Sequence, residues 1–170
     1  MSKKIILYRH AKSDWEADYN NDHERPLALR GIKAATTMGK LLSSAEQFPE
    51  LVITSSAVRA KQTLEISMKE GNWGCDVIED DKLYYGGVEA VLQVIHSIPK
   101  NYSRVMLVGH EPKWSTLASK LIGGGDLTFP TASMARIDFE SSSWKNVNYG
   151  SGTLRWLLQP SFFTKGNFSF

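Results

Sequence analysis

The sequence has a single cysteine and no long hydrophobic run. Cys75 has no second cysteine to pair with, so an internal disulfide is excluded and the chain fits a reducing compartment. No apolar stretch approaches the ~20 residues that cross a bilayer. The apolar run near Met1 meets Arg9 and His10 too early for a secretory signal. We therefore expect a cytoplasmic protein with no membrane partner.

A strong excess of either charge is also missing. Twenty lysines and arginines face eighteen aspartates and glutamates, which gives a formal net charge of +2 over 170 residues. This balance predicts that nucleic acid is not a partner. The hydrophobic fraction of 42% is enough to bury a core, and the length suits one domain spanning residues 1–170.

Several phosphate-handling motifs are absent as well. There is no Gly-x-x-x-x-Gly-Lys-Ser/Thr loop, which argues against a nucleotide kinase. Cys75 is followed six residues later by Asp81 rather than by arginine, so a cysteine-based phosphatase loop is excluded. Carboxylates and histidines do not cluster with metal-ligand spacing, and we expect neither a metal nor another cofactor.

Short apolar runs alternate with helical patterns along the chain. This alternation predicts an α/β protein, a three-layer α/β/α sandwich around a mostly parallel sheet. The polar segment 9–26 is predicted to be a loop with one short helical turn. Predicted strands are 4–8, 51–53, 75–78, 105–108, 134–139 and 153–158. Predicted helices are 28–44, where apolar residues recur at helical spacing from Leu29 to Leu42, 57–68, 88–98 and 113–122.

Three of the predicted strands are followed by residues that suit an anion. Because ligands gather at the carboxyl ends of parallel strands, we expect these residues to meet. The arginine fork matches phosphate oxygens, and a neutral imidazole with one free lone pair is a nucleophile near neutral pH. The residues are Arg9-His10 after the first strand, Ser55-Ser56 with Arg59 after the second, and Gly109-His110 after the fourth.

The same three segments resemble the histidine phosphatase superfamily, which has a phosphoglycerate mutase-like fold. The resemblance runs from the first strand to about Ile122. Ala11 followed by Lys-Ser-Asp-Trp, and Arg25-Pro26-Leu27 followed by Gly31, resemble the compact SixA-type phosphohistidine phosphatases in particular. The superfamily segments are Tyr8-Arg9-His10-Ala11-Lys12-Ser13, Ser55-Ser56-Ala57-Val58-Arg59-Ala60-Lys61-Gln62-Thr63 and Val108-Gly109-His110-Glu111-Pro112.

The resemblance implies a role for each matching residue. His10 would be the nucleophile that becomes phosphorylated. Arg9 and Arg59 would bind the phosphoryl oxygens, and His110 would complete the pocket. Ser13 would donate to the phosphate or have a plain loop role.

Three further residues have two interpretations each, and two histidines have one. Asp22 either brings a carboxylate near the site or is a solvated loop residue, the second being favoured. Glu111 either orients a neighbour or caps the next helix. Lys12 either assists an anionic substrate or faces solvent. His23 is predicted to be a surface loop residue and His96 a helix-face residue.

One segment departs from the superfamily pattern. Larger members carry a Leu-x-Glu element whose glutamate protonates the leaving oxygen. The comparable segment here is Leu83-Tyr84-Tyr85-Gly86, which has no carboxylate at that place. This speaks against phosphomutase and sugar-phosphatase activities and agrees with the SixA-type branch.

The resemblance implies a metal-independent phosphatase acting on phosphohistidine in proteins, with a phosphorylated protein such as a histidine phosphotransfer domain as its partner. Two alternatives stay open: a phosphatase of small phosphomonoesters or phosphoanhydrides, and a non-catalytic phosphoprotein-binding module. The intact His10 counts against the second alternative. Most of the C-terminal aromatic residues, from Trp156 to Phe170, are expected to pack on the domain.

Overall fold

The computed structural model of the chain describes residues 2–165. It contains a six-stranded sheet, six helices and two 3-10 turns. The strands are β1 Lys3–Arg9, β2 Leu51–Thr54, β3 Asp76–Glu79, β4 Arg104–Gly109, β5 Met134–Phe139 and β6 Gly152–Leu158. The helices are α1 Leu29–Ser44, α2 Val58–Gly71, α3 Lys82–Tyr85, α4 Val88–His96, α5 Lys113–Ile122 and α6 Pro160–Thr164, and the 3-10 turns are Asp22–Glu24 and Trp144–Asn146.

The sheet is mostly parallel, as predicted. Its strand order is β3-β2-β4-β1-β5-β6, in which the first four strands are parallel to one another and β5 is antiparallel to both of its neighbours, β1 and β6. β1 and β4 are neighbours, and Arg9 is in register with Gly109. The next residues, His10 and His110, therefore leave adjacent strands at the same height of the sheet.

Helices cover both faces of the sheet, which confirms the three-layer sandwich. Successive side chains of a strand point to opposite faces. Ile5 and Leu7 pack with α4 and α5 on one face, whereas Ile6 and Tyr8 pack with α1 and α2 on the other. Both faces of β1 are thus buried, as expected for a central parallel strand.

Helix α1 forms where the sequence predicts it, and Ala35, Met38 and Leu42 of the apolar stripe are buried, but the first two residues of the stripe are not. Leu29 is 69% exposed and Ile32 is 40% exposed, while Gly31 and Gly39 are buried. The reason is close backbone contact. A Cβ on Gly31 would lie 2.1 Å from the carbonyl oxygen of Lys12, and one on Gly39 would lie 2.2 Å from that of Ser67.

The 3-10 turn Asp22–Glu24 lies within residues 9–26, where the sequence predicts one short helical turn, but three other short elements were not predicted. Helices α3 and α6 and the turn Trp144–Asn146 are too short to produce a helical period. Strand β3 forms the edge of the sheet and its residues are exposed.

The aromatic residues near the C-terminus pack in part. Trp156 and Phe163 pack against the cluster under α1 and α2, whereas Phe162 is exposed. Phe168 and Phe170 lie outside the described residues. No helix within residues 2–165 has the length and apolar character to cross a membrane.

We predict that Gly39→Ala destabilises the fold. The new methyl group would meet the backbone of Ser67 in α2, and overpacking of this kind costs roughly 1–3 kcal/mol, more than the gain in helix propensity of up to about 1 kcal/mol. The free energy of unfolding in urea measures the effect. Gly74→Ala is the matched control, since its Cβ would meet nothing within 4 Å. Equal stability of the two variants would contradict the close packing of α1 on α2.

Candidate active site

Three of the residues singled out in the sequence meet above the carboxyl ends of β1, β4 and β2. The ring centroids of His10 and His110 are 5.1 Å apart. Nε of Arg59 lies 3.4 Å from Nε2 of His10. All three residues are buried, with 5–8% of their surface exposed. Two histidines and one arginine from distant parts of the chain therefore line one small site.

The hydrogen bonds of His10 define its tautomer. Its Nδ1 lies 2.7 Å from the backbone oxygen of Ala11, and a carbonyl oxygen can only accept, so Nδ1 carries the proton. Nε2 then keeps its lone pair and faces Arg59. The imidazole is thereby held in the form in which Nε2 can act as a nucleophile.

Both site histidines are held neutral. Burial, followed by the charges of Arg59, Arg9 and Arg25, lowers the pKa of His10 to about 3, although the hydrogen bond to Ala11 works in the other direction. Burial, followed by His10 and Arg59, lowers the pKa of His110 to about 2. Neither imidazole is positively charged near neutral pH, because the pKa values of both rings lie far below 7.

His110 is held by a serine at the end of β2. Its Nε2 lies 2.7 Å from Oγ of Ser55, which also accepts from the backbone N–H of Ala57. Nδ1 of His110 is buried and has no partner among the described residues. If Ser55 donates to Nε2, then Nδ1 carries a proton that can be donated to an anion. Gly109 is required beside it, since a Cβ there would lie 2.6 Å from the ring of Trp114.

Side chains of the second superfamily segment, residues 55–63, line one side of the site and bind its neighbouring loop. Arg59 contacts His10. Gln62 accepts from the backbone N–H of Leu27, and Thr63 accepts from that of Ala11. The start of α2 thus holds both ends of the loop between β1 and α1. This explains why three polar side chains occur within five residues of a packed helix.

Asp22 is the centre of a second set of contacts. Its Oδ1 accepts from Arg25 at 2.8 Å, and its Oδ2 accepts from Arg59 at 3.0 Å and from the hydroxyl of Tyr84 at 2.8 Å. Its backbone oxygen also accepts from Arg59. Burial alone would raise the pKa of Asp22, but the hydrogen bonds from Arg25, Tyr84 and Arg59 hold it well below its usual range. The carboxylate is half exposed to solvent, as the favoured interpretation expected, and it also anchors both arginines.

Arg9 and Ser13 are near His10 in sequence but make other contacts. The guanidinium of Arg9 donates to the backbone oxygen of Phe129 at 2.7 Å, and its Nε is buried without a partner among residues 2–165. Ser13 accepts a hydrogen bond from Arg25. No hydrogen bond joins either side chain to His10 in the described part of the chain, so their predicted phosphate contacts stay predictions.

The other side of the site is aromatic. The ring of Tyr84 packs edge-on against His110 at 5.3 Å and against His23 at 4.8 Å, and Tyr85 packs against Tyr84 at 4.7 Å. His23 also bonds Ser56 at 2.8 Å, so it belongs to this wall rather than to a plain surface loop.

The structure decides between the two interpretations of Glu111 and shows the contact of His96. Glu111 accepts from the backbone N–H of Ser115 at 2.7 Å, which makes it a cap of α5. His96 lies at the end of α4 and bonds the backbone oxygen of Val147.

Arg25, Ser55 and Tyr84 were not assigned to the site from the sequence. Arg25 is buried, stacks on the ring of Trp15 at 3.6 Å and binds Asp22. Its signal was the Asp-x-x-Arg spacing within a polar loop, which places both side chains on one turn. Ser55 carried a signal in its position at a strand end. Tyr84 carried none, because the turn that brings α3 beside His110 depends on long-range packing.

Comparison with known proteins places this geometry in a family. Residues 5–84 match the model of the histidine phosphatase superfamily (branch 1). An uncharacterised chloroplastic protein of Arabidopsis thaliana is 31% identical over 170 residues, which cover 94% of this chain and 77% of that protein.

Two solved structures have the same fold as this chain. One from Agrobacterium tumefaciens, assigned as the phosphohistidine phosphatase SixA, is 28% identical with a TM-score of 0.79 and covers 93% of this chain and 98% of that one. The protein histidine phosphatase SixA in complex with tungstate has a TM-score of 0.81, covering 94% of this chain and 99% of that one. At 24% identity, this second likeness supports the fold alone.

The chain belongs to the histidine phosphatase superfamily and is a phosphatase, a hydrolase acting on phosphoryl groups. Within that superfamily it is of the SixA type, in agreement with the resemblance drawn from the sequence.

We predict that neither His10 nor His110 titrates between pH 8 and pH 5. Their lowered pKa values keep both rings neutral throughout this range, since a group binds its proton only near and below its pKa. The imidazole ¹⁵N chemical shifts report the protonation state directly. Spectra of His10→Ala and His110→Ala assign the signals. A titration midpoint near 6.5 for either ring would contradict the burial described above.

Proposed function

We propose that the protein hydrolyses phosphohistidine on a phosphorylated protein, and that Nε2 of His10 accepts the phosphoryl group. The observation that carries this proposal is the geometry of His10. Its Nδ1 donates to Ala11, its Nε2 lies 3.4 Å from Nε of Arg59, and the ring centroid of His110 lies 5.1 Å from that of His10. A neutral, oriented imidazole beside cationic and neutral donors is what an attack on phosphorus requires.

The reaction has two displacement steps. First, a proton from solvent occupies the distal ring nitrogen of the substrate phosphohistidine. Nε2 of His10 then forms a bond to phosphorus as the nitrogen–phosphorus bond of the substrate breaks, and the substrate leaves as a neutral imidazole. Then a water oxygen forms a bond to phosphorus, the bond to Nε2 breaks, and inorganic phosphate departs while solvent takes the water proton. Arg9 and Arg59 offset charge on the phosphoryl oxygens, and His110 and Ser13 donate to them.

The leaving group favours this substrate over an alkyl phosphate. An alkoxide is strongly basic and needs a proton as the bond breaks. Once solvent has protonated the distal ring nitrogen of a phosphohistidine, the leaving group is a neutral imidazole, whose conjugate acid has a pKa near 6.5, so it can leave without a dedicated carboxylic acid. A site without a free acid is therefore suited to phosphoramidates.

The two carboxylates nearest the site support this choice. Asp22 is ionised, because its pKa is held well below the usual range by Arg25, Tyr84 and Arg59 acting against burial. Its oxygens are occupied by those donors. Glu111 is engaged at the start of α5. Asp22 therefore has no proton ready for a leaving oxygen, Glu111 is occupied by the backbone of α5, and no carboxylate lies in the segment 83–86.

The proposed partner is a phosphorylated protein, with a histidine phosphotransfer domain as one example, and the proposed compartment is the cytoplasm. The single half-buried Cys75 and the balanced charge support that compartment.

The proposal predicts an order of substrates. kcat/KM is expected to fall from a phosphohistidine protein through p-nitrophenyl phosphate to a sugar phosphate, measured under matched conditions. His10→Ala is expected to abolish turnover of all three and to lose an acid-labile phosphoenzyme, while its unfolding free energy shows whether the fold is kept. Arg59→Ala is expected to lose roughly 10²–10³-fold in kcat.

Each alternative has its own outcome. Equal or higher efficiency on the sugar phosphate would favour a phosphomonoesterase. Turnover by His10→Ala would remove the covalent mechanism. Binding of the phosphoprotein by the native enzyme without hydrolysis would favour a binding module.

Asp22→Asn tests whether Asp22 positions arginines or donates a proton. An amide group facing Arg25 and Arg59 offers one acceptor instead of two, so we expect kcat/KM to fall about tenfold on every substrate. A proton donor would instead be lost selectively, with a large effect on alkyl phosphates and a small one on p-nitrophenyl phosphate. The ratio of the two kcat/KM values is the readout. A change in that ratio would make Asp22 the acid.

A further inference from the structure

An open basin of about 650 Å³ lies next to the candidate active site. Three parts of the fold form it: the chain around the end of β1, the first turns of α1, and α6 with the residue after it. Among residues 2–165, its lining includes five cations and no carboxylate. These cations are Arg9, Lys12, Arg30, Lys33 and Lys165.

The basin concentrates charge that the whole chain does not have. The formal net charge is only +2, yet a quarter of the twenty basic residues line this one surface. Like charges brought together without counter-charges raise the local potential and attract an anionic partner. The basin therefore differs electrostatically from the rest of a balanced surface.

Within residues 2–165, four of the five basic side chains of the basin make no hydrogen bond or ion pair, and the fifth, Arg9, donates to the backbone oxygen of Phe129. In the described part of the chain, the ion pairs involve other residues, and none includes Lys12, Arg30, Lys33 or Lys165. Arg30, Lys33 and Lys165 are also exposed. A partner can bind these groups without breaking an intramolecular contact.

The basin is lined by residues on both sides of the proposed nucleophile in the chain. Arg9 precedes His10, and Lys12 follows it by two residues. The buried Gly31 brings α1 against the backbone of Lys12, which holds Arg30 and Lys33 beside the same loop. The basin adjoins the β5 side of β1, whereas Arg59 and His110 come from the β2 and β4 side.

We propose that this basin is a docking surface for an acidic segment of the phosphorylated protein substrate. The inference rests on the proposed function, because it assumes that the phosphoryl group at His10 is carried by a protein. Carboxylates close to the phosphohistidine in that protein would bind the basin cations while the phosphoryl group enters the site.

The spread of the basin cations over three elements favours a protein over a small ligand. Stable protein–protein contacts bury roughly 800 Å² on each partner, so a protein bound through one side chain must also cover the rim of the site. The basin cations come from three separate elements and line a wide surface, whereas a single phosphate is bound by donors that converge on one point. Charges of this kind act mainly on association rate and partner choice.

A pair of phosphohistidine peptides tests the proposal, one flanked by glutamates and the other by glutamines. The native enzyme is expected to have the higher kcat/KM on the glutamate peptide, with an advantage that shrinks as salt is raised from about 0.01 to 0.15 M. In Arg30→Glu/Lys33→Glu, kcat/KM on the glutamate peptide is expected to fall about tenfold or more. The fall on p-nitrophenyl phosphate is expected to be much smaller.

The double variant should keep its fold, because glutamates in the first turns of a helix are favourable. Lys100→Glu/Lys145→Glu is the matched control. It changes the net charge by the same amount at two exposed residues near the amino end of β4, the opposite edge of the sheet. The control is expected to behave as the native enzyme on both peptides. Equal loss in the two double variants would overturn the proposal.

A binding measurement separates this inference from the proposed function. A fluorescein-labelled glutamate-rich peptide without phosphohistidine is expected to bind the native protein and the control, and to bind Arg30→Glu/Lys33→Glu more weakly. Equal binding to all three would overturn the docking surface even if phosphohistidine peptides are hydrolysed. Tighter binding of a single-stranded oligonucleotide of equal charge would replace it with a nucleic-acid surface. Failure to hydrolyse any phosphohistidine peptide would overturn the proposed function, while the binding data still report on the basin.

Discussion

The carboxylate of Asp22 joins the parts of the chain on which the site depends. It accepts hydrogen bonds from Arg25, Arg59 and Tyr84, which belong to the long loop, α2 and α3. Because the side chain is half-exposed, solvent screens these ion pairs and their contribution to stability is modest. Their main effect is orientation: with both Nη groups of Arg59 bound to Asp22, its Nε faces His10. Arg25 and Arg59 can both remain near the buried imidazole of His10 because they share the negative charge of Asp22.

Much of the fold followed from local patterns, and so did the order of the site residues. Apolar runs identified β1, β2 and β4 because strands buried on both faces have few polar residues. The site residues followed from the rule that ligands bind at the carboxyl ends of such strands. The buried glycines of α1 did not follow, because Gly31 and Gly39 carry no hydrophobic signal. Their role is set by backbone contacts with residues far away in sequence.

The contacts of each polar side chain in the site also could not be predicted from the sequence. The resemblance suggested Arg9, Arg59 and His110 as a group, but it did not distinguish Arg59, which touches His10, from Arg9, which bonds Phe129. It also missed the partners that orient them. Ser55 and Tyr84 act on His110 from β2 and α3, and only the packing of these elements brings them together.

The exposed edge of the sheet affects how copies of this protein meet at high concentration. Strand β3 leaves one side of its backbone without a neighbouring strand, and Val77 and Ile78 are about half exposed there. Such an edge can template pairing with another chain. Here Asp76 is the first residue of the strand and Glu79 the last, and Asp80 and Asp81 follow directly. Two copies that approached edge to edge would bring eight carboxylates together, so electrostatic repulsion opposes aggregation at the place where the backbone would otherwise permit it.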